Sequence, residues 1–314
     1  MPPIESSALK FCPTLKNGEA SGGFRLTPRP FEYFAPSSLE EAVSLLTKFK
    51  GEAKVLAGGQ SLIPLMKLRI ASPPYIVDIN NIRGLEYVRE ERQIVMGSLT
   101  RMSQIETSSL LMKRYGLIPE AASLIADPLV RNMGTLGGNL SHGDPTNDMP
   151  AVMLAVGAEF VIAGADGERV IRAEDFFLDT FATALEPTEI MKQVRLPRVS
   201  LKSGGAYLKL ERQAGDYAVV GVAAQIARDR AQRVERSGIG LTAVGPTAIK
   251  AKKAEELILG KVLTLSLIDE ASSLASEESK PASDLRGSAE YKKEMVKVMT
   301  VRALTAATRR AAGA

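Results

Sequence analysis

Two short stretches of this 314-residue chain carry the residue types and spacing of a phosphate site. In the first, Ala57-Gly58-Gly59-Gln60-Ser61-Leu62-Ile63, an apolar strand runs into two glycines, two polar residues and a helical pattern. The second, Gly134-Thr135-Leu136-Gly137-Gly138-Asn139, repeats the chemistry. Glycine lets backbone N–H groups approach a ligand with no Cβ in the way. The start of a following helix favours an anion at the same spot. Two Gly-Gly turns, each with a hydroxyl and an amide nearby, suit one long diphosphate ligand held at two points. The amides would hold phosphates, and Ser61, Thr135 and Asn139 would donate to phosphate oxygens or to a sugar chain. Asp148, after the turn Asp144-Pro145-Thr146-Asn147, either accepts from sugar hydroxyls or caps the helix that starts at Met149.

Fewer residues bear on a ring. Tyr217, beside Gly215-Asp216, reads as a loop tyrosine whose face can lie on an aromatic ligand, or as an ordinary core or surface tyrosine. Lys209 alternates with Leu208 and Leu210, the pattern of a solvent-facing lysine on a strand. A nicotinamide-dinucleotide fold would need Gly-x-Gly-x-x-Gly and an acid about twenty residues on. Asp78 stands in for the acid, but no third glycine follows Gly58-Gly59, so Asp78 reads as a turn residue at a strand end.

Composition excludes other chemistries. With one cysteine, Cys12, and one histidine, His142, the chain can form no internal disulfide, no Cys/His zinc site and no cysteine-ligated iron–sulfur cluster. No nucleophile–base pairing stands out. Net charge is only +4, with Lys and Arg scattered among Asp and Glu, which is no footprint for nucleic acid. There is no signal-peptide-like segment and no run of about 18 apolar residues, so a soluble cytoplasmic protein is expected.

The elements that must position these groups follow from periodicity. Residues 1–29, rich in Pro and Gly and holding Cys12, read as a flexible extension. A helix begins at Leu39, with Ser38 as N-cap and Glu41 as capping-box partner, and ends near Gly51. Strand 54–57, a helix from Leu62 to Ile70 and strand Tyr75 to Ile79 make residues 30–80 a small βαβ unit. Over 81–202 the pattern gives strands at 93–97, 159–163, 169–171 and 189–196, and helices at 102–111, 119–125 and 149–157. Asp166-Gly167 signals a hairpin. Ser203-Gly204-Gly205 marks a boundary. Beyond it, in 203–314, strands at 206–210, 218–228 and 239–243 precede helices at 251–259, 265–276 and 290–310. The last helix shows Met295, Val298, Met299, Ala303 and Ala306 as its buried stripe. Strands followed by helices indicate an α+β domain.

At this point the motifs resemble a known family. Ala57-Gly58-Gly59-Gln60-Ser61, Thr135-Leu136-Gly137-Gly138-Asn139 and Gly143-Asp144-Pro145-x-x-Asp148 resemble the FAD-binding medium subunit of molybdenum hydroxylases, most of all that of aerobic carbon monoxide dehydrogenase. Ile125-Ala126-Asp127-Pro128 and Lys209-Leu210-Glu211-Arg212-Gln213-x-Gly215-Asp216-Tyr217-Ala218 extend the likeness from about Arg29 to the C-terminus. The resemblance implies an α+β fold: a two-part FAD-binding domain of the vanillyl-alcohol-oxidase/PCMH type and a C-terminal domain with a three-stranded antiparallel sheet and helices. It implies non-covalent FAD, with the glycine loops on the diphosphate, Ile63 and Ile125 lining the flavin pocket, and Lys209 and Tyr217 approaching the isoalloxazine ring. Ala57, Gln60, Leu62, Gly134, Gly137 and Met191 join the implied contacts. His142 is left near the diphosphate, as a bystander, or as an attachment point of the kind some proteins of the wider fold use.

The resemblance also implies partners: a small subunit with two [2Fe–2S] clusters, a large subunit with the molybdenum–pterin cofactor, a dimer of heterotrimers, and an external acceptor such as quinone, NAD or dioxygen. Catalytic residues for the substrate, with carbon monoxide first and aldehydes or heteroarenes next, would lie on a partner chain, and the complex could touch the inner membrane face. A stand-alone flavin oxidase and a non-enzymatic nucleotide-binding scaffold are the rival readings.

Overall fold

In a computed structural model, the structure describes residues 27–198 and 202–313. Cys12 and most of the expected extension lie outside them. The first unit runs β1 (Glu32–Phe34), α1 (Leu39–Lys48), β2 (Ala53–Leu56), α2 (Leu62–Lys67) and β3 (Tyr75–Asp78). Its sheet is parallel throughout, in the order β1-β3-β2. Ser38 caps α1, accepting from the Glu41 amide at 3.1 Å, while the Glu41 carboxylate reaches one residue further back, to the Ser37 amide. Ala42, Val43 and Leu46 of α1 bury against Ala53 and Val77.

The second unit opens with β4 (Val88–Glu90), β5 (Ile94–Gly97), α3 (Met102–Glu106), α4 (Ser109–Arg114) and α5 (Leu117–Ser123). The single helix expected over 102–111 is two, because Ser108 leaves the helix to cap α4 at the Leu111 amide. Next come α6 (Pro128–Met133), α7 (Leu136–Ser141), α8 (Asp148–Val156), β6 (Glu159–Gly164) and β7 (Gly167–Arg172). The unit closes with α9 (Ala173–Phe176), β8 (Phe177–Asp179), β9 (Ala182–Thr183) and β10 (Ile190–Leu196). The five-stranded antiparallel sheet has the order β4-β5-β10-β6-β7, with β6 and β7 joined through Asp166-Gly167.

The third unit is β11 (Ser203–Leu210), β12 (Val220–Arg228), β13 (Val234–Thr242), β14 (Ile249–Lys250), α10 (Lys252–Ile258), α11 (Leu265–Glu278) and α12 (Ala289–Ala311). The short β14 pairs with β13, adding a fourth member to the three expected strands. The Ser203-Gly204-Gly205 stretch, read as a boundary, is also the start of β11. A Cβ at Gly204 would lie 2.3 Å from the Ala311 nitrogen, so glycine there lets α12 sit directly on the strand. The buried stripe of α12 is Val296, Met299, Thr300, Ala303, Leu304 and Ala307. Val298 falls outside it, at 36% exposure, because the helix meets the sheet about one position round from the expected face.

Helix α8 joins the units. All nine of its residues are buried, and it packs between α5 and the inner face of β12 and β13. The contact depends on Gly238 and Gly240 of β13. A Cβ at either would lie within 2 Å of the Ala155 or Ala151 carbonyl oxygen. Each Val, Leu or Met side chain of α8 buried this way contributes roughly 1.5–3 kcal/mol.

A charged seam lies beside it. Glu255 of α10 accepts from the Ile239 amide at 2.8 Å and faces Lys250 at 3.8 Å, with Glu174 of α9 on the same lysine. Burial raises its carboxyl to about 7, helped by Glu174 and Glu278. The folded state therefore binds the proton more tightly than the unfolded state. The resulting stability is present in full below about pH 4.5 and is lost as pH rises through about 7, at most roughly 3 kcal/mol. Glu255→Gln keeps an acceptor for Ile239 and removes the charge. It should raise the urea midpoint at pH 8 and flatten its slope between pH 5 and 8; an unchanged slope would contradict this account.

Candidate functional site

The two glycine stretches meet. A Cβ on Gly58 would stand 2.2 Å from the Met133 carbonyl oxygen, and one on Gly134 3.9 Å from the Gln60 side chain. Residues outside both motifs bridge them. Arg101 donates to the Met133 carbonyl at 2.6 Å and to Asn80 Oδ1 at 2.9 Å. Asn80 Nδ2 in turn donates to the Ala57 carbonyl at 2.7 Å. Asp78 orients Asn80, accepting from its backbone and side-chain nitrogens, and also takes the Tyr33 hydroxyl at 2.6 Å. Asp78 thus serves the strand-end turn, and through it the loop junction. Nothing in the sequence around Asn80 or Arg101 distinguishes them.

Within the first loop Gly59 has φ +73°, a left-handed conformation that favours glycine. Gln60 closes the loop on the Gly58 carbonyl at 3.0 Å, and its residue is exposed. Ser61 stands at the N-cap of α2 without capping it, so its hydroxyl is not used there. Leu62 is half-buried and Ile63, 39% exposed, offers an apolar edge.

The second stretch is not a turn. Gly137 and Gly138 lie in the first turn of α7, and Thr135 caps it, accepting from the Gly138 amide at 3.2 Å. Gly137 is needed for packing, since its Cβ would meet Ser98 at 2.6 Å, whereas Gly138 is exposed. Both α2 and α7 are only six residues long, and the first-turn amides of α7 are already taken, Leu136 by the Thr100 carbonyl, Gly137 by the Ser98 carbonyl and Gly138 by the Thr135 hydroxyl. Asn139 Oδ1 is buried with no hydrogen-bond partner. His142 ends α7, lies 5.1 Å from the Phe181 ring, and is kept toward neutrality by burial.

A second cluster lies beyond α7. Asp148 is the first residue of α8, and the N-cap position belongs to Asn147. Its buried carboxylate accepts from the Tyr207 hydroxyl and from Lys209 Nζ at 3.1 Å. Lys209 is no solvent-facing lysine: its side chain is 2% exposed, and it also donates to the Leu124 carbonyl at 3.0 Å and pairs with Glu211 at 3.5 Å. Tyr207 and Lys209 alternate on the face of β11 toward α8, while Leu208 and Leu210 pack into the C-terminal core. Strand alternation from Lys209 is the signal that could have found Tyr207. Burial pushes the Asp148 carboxyl up, opposed chiefly by the lysine.

The Lys209–Leu124 bond ties this cluster to Ile125, which is half-buried. The 213–217 loop lies against the same segment: a Cβ at Gly215, φ +80°, would be 2.6 Å from the Ala126 carbonyl. Tyr217 at the loop's end is 48% exposed, its phenol raised by burial and by Asp144 and Asp148. Met191 stands apart, buried in the central core on β10.

Loop amides at a glycine junction, an unused Ser61 hydroxyl, an orphaned Asn139 acceptor for a sugar hydroxyl and a half-exposed tyrosine fit a ligand with diphosphate, polyol and ring. They define a dinucleotide-cofactor protein. Among the described residues no group of three or more His, Cys, Asp or Glu side chains could hold a metal ion.

Comparison with known proteins narrows the class. The family described as the FAD binding domain in molybdopterin dehydrogenase matches residues 29–199, and the CO dehydrogenase flavoprotein C-terminal domain matches 205–307. The chain is 44% identical over 288 residues to the carbon monoxide dehydrogenase medium chain of Hydrogenophaga pseudoflava, covering 91% of this chain and 100% of that one. With the medium chain of Afipia carboxidovorans it shares 41% over 91% and 99% of the two chains. A solved carbon monoxide dehydrogenase from Hydrogenophaga pseudoflava superposes with a TM-score of 0.88 at 46% identity, over 90% of this chain and 99% of that one. Quinoline 2-oxidoreductase from Pseudomonas putida 86 gives 0.84 at 32%, over 91% and 99%. The chain belongs to the family of FAD-binding subunits of molybdopterin dehydrogenases, and its fold is their FAD-binding domain followed by the flavoprotein C-terminal domain.

Two substitutions test the site. Gly58→Val would force Met133 away and should abolish FAD retention while far-UV circular dichroism stays near wild type; stoichiometric flavin in the purified variant would refute the loop assignment. Lys209→Met leaves Asp148 buried without its cation, which should cost about 3–5 kcal/mol at pH 8. At pH 5 the loss should be smaller, since the carboxyl can take up a proton, and urea unfolding that shows equal losses at both pH values would speak against the pairing.

Proposed function

We propose that this chain is the flavin-holding electron-relay subunit of a molybdenum hydroxylase complex. It takes electrons from [2Fe–2S] clusters on a small partner subunit and delivers them to an external acceptor: quinone, NAD or dioxygen. The observation that carries the reading is the meeting of the two glycine stretches at Gly58 and Met133, bridged by Asn80 and Arg101. The bound FAD supplies the redox chemistry.

The chain's own residues hold and orient. In this reading the amides of 58–61 and the hydroxyls of Ser61 and Thr135 bind the diphosphate, the exposed Gly138 leaves room for it at the start of α7, and Asn139 accepts from a sugar hydroxyl. Ile63, Ile125 and Tyr217 shield the ring, and Lys209 presents its ammonium toward it from the Asp148 pair. Met191 contributes from the sheet behind α7. His142, neutral and packed on Phe181, is a neighbour of the cofactor and not its covalent anchor. Residues 30–80 and 81–202 are the two parts of the FAD-binding domain, and 203–314 closes over the ring.

The likeness to carbon monoxide dehydrogenase medium chains supports carbon monoxide as the substrate of the whole complex, oxidised on a large molybdenum–pterin subunit in a dimer of heterotrimers. Relatives named as glyceraldehyde, caffeine and nicotine enzymes support aldehydes and heteroarenes as the next candidates. No helix among the described residues is long and apolar enough to cross a membrane, and the proposed location is the cytoplasm, at most peripheral to the inner membrane face through the complex.

Visible spectra of the chain purified alone and with its partners are the deciding measurement. Flavin bands in both samples, with iron–sulfur absorption only in the complex, are expected; absence of flavin from both would defeat the proposal.

A further inference from the structure

Tyr217 is a half-exposed ring on a short loop that is held locally by Arg212 Nε, which donates to Asp216 Oδ2 at 3.3 Å, and by the Asp216 amide, which donates to the Gln213 carbonyl. The structure supplies a second hold from 70 residues further along the chain. Arg286 Nη2 donates to Asp216 Oδ1 at 2.9 Å, and its guanidinium carbon lies 5.6 Å from the centre of the Tyr217 ring. The same Asp216 oxygen accepts from the Tyr217 amide at 2.8 Å, so one carboxylate links the arginine to the backbone that carries the ring. On the other side the loop is pressed on Ala126 at Gly215. The ring-bearing loop is thus clamped between the flavin-side segment 125–126 and Arg286.

Arg286 is itself presented by a built turn. Its amide donates to Asp284 Oδ1 at 2.8 Å, and Asp284 and Gly287 exchange backbone bonds of 3.0 and 3.2 Å. Lys292 of α12, with its side chain 4% exposed, anchors the turn through Asp284 Oδ2 at 2.7 Å and the Ala282 carbonyl at 3.0 Å. Arg286 Nε is buried with no hydrogen-bond partner, a burial that a freely turning surface arginine would avoid. Arg286, before Arg212, holds the Asp216 carboxyl down to about 2, so the link persists at any working pH. A cation over one face of a tyrosine leaves the other face for a second stacking partner.

We propose that Arg286 is a positioning residue for Tyr217, latching through Asp216 the loop that sets this ring against the flavin. The proposal rests on the flavin reading above and deepens it. An ordinary surface ion pair would contribute almost nothing measurable. The latch makes a different demand, on both loop order and flavin environment.

The test compares the full-length wild-type chain with Arg286→Gln and Arg286→Lys. In flavin-free protein, trypsin should cut after Arg212 several-fold faster in R286Q than in wild type, because the clamp on 213–217 is open. In flavin-loaded protein, R286Q should show brighter flavin fluorescence, as ring quenching is lost, and an FAD dissociation constant raised about tenfold. R286K, which keeps a cation for Asp216, should recover part of both. Unchanged proteolysis and unchanged fluorescence in R286Q would overturn the latch. Faster proteolysis with unchanged fluorescence and affinity would reduce Arg286 to a loop anchor and overturn its role toward the flavin. A wild-type chain that takes up no flavin would defeat the flavin reading itself, and the proteolysis would still report whether the clamp exists.

Discussion

The contact between Gly58 and the Met133 carbonyl is the constraint on which the rest of the site depends. Two backbones approach within a distance that no Cβ could share. That approach turns two separate glycine stretches, 76 residues apart, into one cradle. It is held by polar bonds from Asn80 and Arg101 to main-chain carbonyls, not by a hydrophobic contact. Such bonds are directional, so they set the spacing of the loops as well as their proximity. A cofactor gripped at two points needs that spacing kept before it binds.

The same logic of close backbone approach operates behind the site. Gly238 and Gly240 bring α8 onto β13, and Gly204 brings α12 onto β11. With α8 locked to the third sheet, its first residue, Asp148, faces Tyr207 and Lys209 of that sheet. A buried carboxylate and a buried ammonium are costly apart and tolerable together. Their pairing therefore specifies how the C-terminal unit sits over the FAD-binding domain. Lys209 also reaches the Leu124 carbonyl, so the seam that joins the units shapes the wall around Ile125.

Chemistry and architecture are separated in this chain. Among the described residues no group of three or more His, Cys, Asp or Glu side chains could hold a metal ion, and Asn80 and Arg101 at the loop junction bond to main-chain carbonyls. Family membership fits this division: the FAD-binding subunit is a holder, and precision of placement is its contribution. The clamp on Tyr217, running from Ala126 through Asp216 to Arg286, belongs to the same pattern, in which placement is imposed from residues distant in sequence.

Much of this was legible without coordinates. The glycines of both stretches are legible in the sequence, and the close approach of Gly58 to Met133 is of the kind that only glycine permits. Periodicity marked α1, α8, α12 and the main strands, since alternation and helical spacing are local properties. Local signals misjudged residues whose environment is set from afar. Lys209 alternates with leucines as an exposed lysine would, yet a second packed layer makes both faces of its strand interior. Ser203-Gly204-Gly205 reads as a boundary, and its local pattern does not show that Gly204 also serves a helix arriving from about a hundred residues away. Asn80, Arg101, Tyr207 and Arg286 carry no motif, because their partners are main-chain carbonyls or carboxylates that only folding brings near. The sequence by itself determined the family and its cofactor, FAD, because the glycine motifs that carry the likeness are local. The tertiary structure alone decided how far apart the loops stand, which charges are buried together and what holds the tyrosine, because those depend on contacts between segments that no local pattern encodes.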